Sequence, residues 1–196
     1  MELVYTKFCP FARASEVLLQ EAGLEYTALE EENRLDFPTL KLQDTQLYGF
    51  FAIAEYLSQD QTDQHEKRMW LEIVLNQCWH ESAKVIIEVR IRSIKNSIRP
   101  NTGQLHNARI KLGLFLSELD KWLIERNYLT LTISYADLLL GSIISYLDYL
   151  NEVSWNNYTN VAEWYSRLKS RPSFRFILDD VIPGLKPASH YKLIDF

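Results

Sequence analysis

At 196 residues, with 47% hydrophobic and 24% charged side chains, the chain is long enough for one large domain or two small ones sharing a core. A net charge of −5 argues against a nucleic-acid partner, and no apolar run reaches the roughly 18 residues that would span a bilayer. Cys9 and Cys78 make no disulfide framework and no basic-then-apolar leader precedes the first strand pattern, so a cytoplasmic protein is expected.

Leu3-Val4-Tyr5 is a short β-favouring run and predicts the first strand. A helix follows from Pro10, preset in φ for the first helical turn. Phe11, Ala14, Leu18 and Ala22 recur at helical spacing, and Gly23 stands where a left-handed cap is expected. Glu25 to Leu29 reads as a second strand. The seven residues Glu31 to Phe37 leave room for a loop or one turn, short of the roughly dozen residues of a helical crossover. Thr39 to Leu42 and Gln46 to Tyr48 predict a hairpin around Asp44-Thr45, and Phe50 to Leu57 a helix. The order β-α-β-β-β-α ends near Ser58.

The linker Gln59 to Gln64 has no apolar residue. Beyond it a long helix, Glu66 to about Lys95, carries Trp70, Ile73, Val74, Cys78, Val85, Ile86 and Val89 on more than one face. Such a helix is buried on several sides, in a bundle or at a subunit interface. Pro100 to Gly103 breaks it, and Leu105 to Arg126 is the next helix. Ser134-Tyr135-Ala136-Asp137 has the form of a capping box, with Ile133 and Leu138 at the positions of a hydrophobic staple.

Phe37-Pro38-Thr39-Leu40, the hairpin, and Ala52-Ile53-Ala54-Glu55-Tyr56-Leu57 together resemble the glutathione-binding half of a glutathione S-transferase. The box at Ser134 to Asp137, Trp164, and Arg171-Pro172-Ser173-Phe174 resemble the helical half of that family, so the likeness runs from residue 1 to about 180. It implies an α+β protein of glutathione S-transferase fold. It further implies a thioredoxin-like domain over 1–58, an all-α domain over 65–182 with a tail at 183–196, and a homodimer.

The likeness also marks what is missing. Where the family has a glutamate-serine pair for the γ-glutamyl group, this chain has Gly49-Phe50. Hydrogen bonds to charged groups contribute about 1.5–3 kcal/mol each, so losing two weakens binding by roughly 3–6 kcal/mol, or two to four powers of ten. Phe37-Pro38 matches the family's cis-proline pair, which is both a backbone edge for the tripeptide and a structural feature. Phe37, Pro38, Gly49 and Phe50 thus form a degenerate ligand site, with no cofactor expected. The shortened Glu31–Phe37 segment removes a further contact region, and nothing places Arg13 or Arg34 to compensate.

Cys9 is the candidate nucleophile, set at a helix N-terminus that favours the thiolate. Cys-Pro-Phe-Ala is similar to the single-cysteine, glutathione-dependent members, and Ala12 excludes a dithiol mechanism. The other reading is a family position kept by a protein that catalyses nothing. His65, His80, His106 and His190 have no metal-like spacing with either cysteine, so no metal is expected. Arg90, Arg92, Lys95 and Arg99 read as a solvated helix face or as a docking site for an acidic partner.

The tail has two prolines and a glycine, yet is rich in apolar and aromatic residues. Either it folds back on its own domain, or it is displayed to a partner. Pro187, His190, Tyr191, Asp195 and Phe196 resemble the ending of the alphaproteobacterial FtsZ-localising, glutathione-transferase-like division proteins. That likeness implies FtsZ or another division protein as partner, with His190, Tyr191, Leu193, Asp195 and Phe196 as contacts. The alternatives are a thiol transferase using Cys9, and a regulator that binds RNA polymerase through the same fold.

Overall fold

In the computed structural model, which describes residues 1–6, 8–31, 37–58, 64–95 and 99–194 without the side chains of residues 94 and 95, contacts divide the chain into Met1–Gln64 and His65–Phe196. The first unit runs β1 (Glu2–Tyr5), α1 (Pro10–Glu21), β2 (Thr27–Glu30), β3 (Thr39–Lys41), β4 (Gln46–Tyr48) and α2 (Gly49–Leu57). The sheet order is β2-β1-β3-β4, parallel between β1 and β2 and antiparallel elsewhere. Register follows the apolar residues: Leu3 lies opposite Leu40, and Leu40 opposite Leu47. Leu19 of α1 and Ile53 of α2 close on Leu3 and Leu40, so both helices cover one face of the sheet. The row ends at Ala28, whose strand leaves all four side chains exposed.

Pro10 opens α1, and Gly23 at φ +64° ends it in the left-handed region a glycine occupies without a Cβ penalty. The second strand starts two residues later than its composition suggests, because pairing with β1 sets its bounds. The Glu31–Phe37 connection, with Arg34, and the Gln59–Gln64 linker lie almost wholly outside the described residues, as do Asp195 and Phe196.

The second unit is helical: α3 (Gln64–Ile73), α4 (Lys84–Lys95), α5 (Thr102–Trp122), α6 (Tyr135–Tyr149), α7 (Thr159–Ser170) and the short α8 (Pro172–Arg175). The helix expected from Glu66 to Lys95 is not uniform, for Val74–Ala83 between α3 and α4 is a π-helix. Trp70, Val74, Cys78 and Ser82 are buried four residues apart. The next helix begins earlier than expected because the Asn101 side chain caps it, accepting from Gln104 N–H at 3.2 Å.

Every residue of α6 is buried, which makes it the axis of this unit. Its capping box is present. Asp137 accepts from the Leu129 and Ser134 backbone N–H groups, both at 2.9 Å, from Ser134 Oγ at 2.8 Å and from Trp164 Nε1 at 3.0 Å. One buried carboxylate therefore ties the helix start to α7. Burial pushes its carboxyl up, and the four donors pull it back.

Candidate functional site

The sheet topology brings Cys9, Phe37, Pro38 and Gly49 to one end of the first unit. Val4 pairs with Thr39 and Thr39 with Tyr48, so the exit of β1, the entry of β3 and the entry of α2 lie side by side. Gly49 N–H donates to the Pro38 carbonyl at 2.8 Å, and the Phe37 ring lies 5.8 Å from that of Phe11, two residues beyond Cys9. Cys9 is the N-cap residue of α1, partly exposed, with its carbonyl accepting from Arg13 N–H at 3.1 Å. Phe8 before it holds φ +65°, a left-handed conformation costly for a bulky residue.

The ligand chemistry at this end is sparse. Segments 37–39 and 48–50 contribute no charged side chain. Phe37 is half exposed, whereas Phe50 is fully buried against Phe51. Gly49 stands at φ +84° with open space where a Cβ would project, so backbone conformation rather than crowding favours glycine there. No cis peptide occurs among the described residues, so the Phe37–Pro38 bond is trans, unlike the family's pair. A broad cleft of about 800 Å³ lies at the opposite end, lined by Glu2, Lys41, Asp44 and Tyr56 among others, and touches none of these residues.

Cys78 is fully buried in the π-helix, where desolvation pushes its thiol up and keeps it protonated. The basic cluster does not form one free face. Arg92 lies 3.7 Å from Glu88, Arg90 approaches Glu152 at 3.3 Å, and the Lys95 side chain is outside the described residues.

The tail folds back over its described length. Tyr191 is buried edge-on against Tyr149 at 5.1 Å, so it is no displayed anchor. Ser166 Oγ donates to the Ile194 carbonyl at 2.7 Å, and Lys192 Nζ to Asp179 at 2.6 Å. His190 Nε2 meets Asp148 Oδ1 at 2.8 Å, while Leu193 stays exposed.

Sequence reasoning missed the cluster around Asp148. Trp155 Nε1 donates to this buried carboxylate at 2.8 Å, and Lys169 Nζ, fully buried, lies 3.8 Å from its second oxygen. Burial pushes the Asp148 carboxyl up, opposed by the Trp155 bond and the nearby cations. Burial also pushes Lys169 down to about 8. The one available signal was an acid at the C-terminal end of a largely apolar helix.

No family model matches the chain. It is similar to FtsZ-localized protein A of Caulobacter vibrioides (strain NA1000 / CB15N), 38% identical over 98 residues. That match covers 50% of this chain and 43% of the relative, less than half its length. Several solved structures align over the whole chain. A glutathione S-transferase from Sinorhizobium meliloti 1021 has a TM-score of 0.89 at 28% identity, covering 100% of this chain and 99% of its own. One from Rhodospirillum rubrum F11 has 0.89 at 26% with the same coverage. FzlA from C. crescentus has 0.88 at 24%, a likeness of fold, over 100% and 99%.

Proposed function

We propose that this chain, which has the glutathione S-transferase fold, acts as an interaction protein of the bacterial cytoplasm, a homodimer that associates with FtsZ. The observation that carries the reading is the 38% identity over 98 residues to FtsZ-localized protein A. What supports it at the ligand end is the sequence itself, with Gly49-Phe50 in place of the glutamate-serine pair and no charged side chain in segments 37–39 and 48–50. In this reading the thioredoxin-like domain keeps its frame without its substrate. The exposed Leu193, together with Asp195 and Phe196, gives the tail its share of the partner contact. Co-sedimentation with FtsZ tests this. The protein is expected in the pellet only when FtsZ polymerises, and a protein that stays in the supernatant at every FtsZ concentration ends the reading. Light scattering reports the dimer independently.

The second reading, a glutathione-dependent thiol transferase, rests on Cys9 at the start of α1. It requires saturable binding of reduced glutathione that Cys9→Ser alters. Titration calorimetry is expected to show no such heat.

A further inference from the structure

A cleft of about 240 Å³ lies in the helical unit between Arg90 of α4, the end of α6, and the tail segment Leu185 to His190. Arg90, Lys186 and His190 line it, with Asn151 and Ser189, and among the described residues no carboxylate does. That is opposite to the balance of the chain, which has 26 acidic and 21 basic residues besides its histidines.

The neighbouring acids are already engaged. Glu152 accepts from Arg109 with both oxygens, at 2.7 and 2.8 Å. Arg90 Nε, 3.3 Å from the same carboxylate, makes no hydrogen bond to it. Two guanidinium groups on one carboxylate leave one positive charge over. Lys186 has no ion pair among the described residues and adds a second. Asp148 faces both His190 and Lys169, so it neutralises neither Arg90 nor Lys186.

The walls are also set in advance. Tyr149 Oη accepts from Ile182 N–H at 3.1 Å and donates to the Leu185 carbonyl at 2.9 Å, and Ala188 N–H donates to the Tyr149 carbonyl at 3.2 Å. Binding therefore need not order the tail wall.

We propose that this cleft binds a dianionic phosphoryl group, as inorganic phosphate or as the phosphate end of a small phosphomonoester. A phosphomonoester carries about −1.5 to −2 charges near neutral pH, matching the two surplus cations, whereas a carboxylate matches one. Arg90 supplies a planar fork for two phosphate oxygens and Lys186 a point charge. The volume is several times the ~30 Å³ share of one liquid water, which leaves room for a small organic body against Leu150 and Pro187. The proposal stands on this geometry and not on the FtsZ reading.

The full chain is titrated at fixed ionic strength with inorganic phosphate, glycerol 3-phosphate and acetate, following heat and the amide signals of Asn151 and Ser189. Saturable binding of a phosphoryl probe that moves both signals is expected, with acetate weaker by about tenfold or more. Tighter binding of glycerol 3-phosphate than of phosphate identifies an ester as the source, and equal binding identifies the free anion. Lys186→Glu, at an exposed position, is expected to weaken binding by about tenfold or more. Arg90→Lys, which keeps the charge beside Glu152, weakens it by losing the fork. No saturation by either phosphoryl probe, equal affinity for acetate, or unchanged affinity in Lys186→Glu each overturns the assignment.

Discussion

Asp137 and Asp148 are both fully buried carboxylates at opposite ends of α6, and their surroundings give them different consequences. Asp137 has four hydrogen-bond donors and no cation beside it among the described residues, so it is a structural acceptor. Asp137→Ala leaves two backbone N–H groups and the Trp164 indole without their acceptor, and is expected to cost about 3–5 kcal/mol. Ser134→Ala, which removes only the cap hydroxyl, is expected to cost about 1 kcal/mol. Urea unfolding checks the order, and equal losses contradict the account. Asp148 instead holds Lys169, whose folded-state proton is released near 8 against an ordinary 10.5. Between those values the unfolded chain binds more protons than the folded one, so this group makes stability rise with pH. Its contribution is complete above 10.5 and lost as pH falls through about 8. Subtracting the unfolding free energies of Lys169→Met from those of the parent should show that rise, and a flat difference refutes it.

Among the elements, α6 is fitted most tightly to its neighbours. A Cβ on Gly141 would lie 2.6 Å from Leu168 Cδ1 and 3.1 and 3.2 Å from the Phe174 ring. Alanine gains about 1 kcal/mol of helix propensity over glycine, but overpacking costs about 1–3 kcal/mol. Leu168 and Phe174 are themselves fully buried and cannot yield cheaply, so Gly141→Ala is expected to destabilise by roughly 1 kcal/mol. Gly113→Ala in α5, with its nearest atom at 3.4 Å, keeps the propensity gain and should stabilise by up to about 1 kcal/mol. Thermal unfolding of both variants, opposite in sign, is the check. The elements of the first unit were legible because Pro10, Gly23 and the apolar periodicity are local signals. The π-helix was not, because a four-residue spacing suits an α-helix of similar phase as well. The Asp148 cluster was not either, since its members come from α6, α7 and the tail, and no local pattern links them.

At the scale of the whole molecule, composition indicated that the tail would be used but not where. Tyr191 under Tyr149 resolves this for the described residues, because a buried aromatic pair outweighs anything the ring would gain in water. At the end of the first unit that holds Cys9, the sequence shows Gly49-Phe50 without polar groups, while the burial of Phe50 needed three dimensions. One further asymmetry concerns β2. All four of its side chains are exposed, and it pairs with β1 from Glu2 opposite Thr27 to Tyr5 opposite Glu30. Lifting it exposes little apolar surface and is therefore cheap. In deuterated water the amides of Thr27–Glu30 are expected to exchange well before those of Thr39–Lys41, and equal protection would contradict this. Each such breath bares the outer rim of β1, an untenanted row of donors and acceptors, so self-association on storage should begin at that seam.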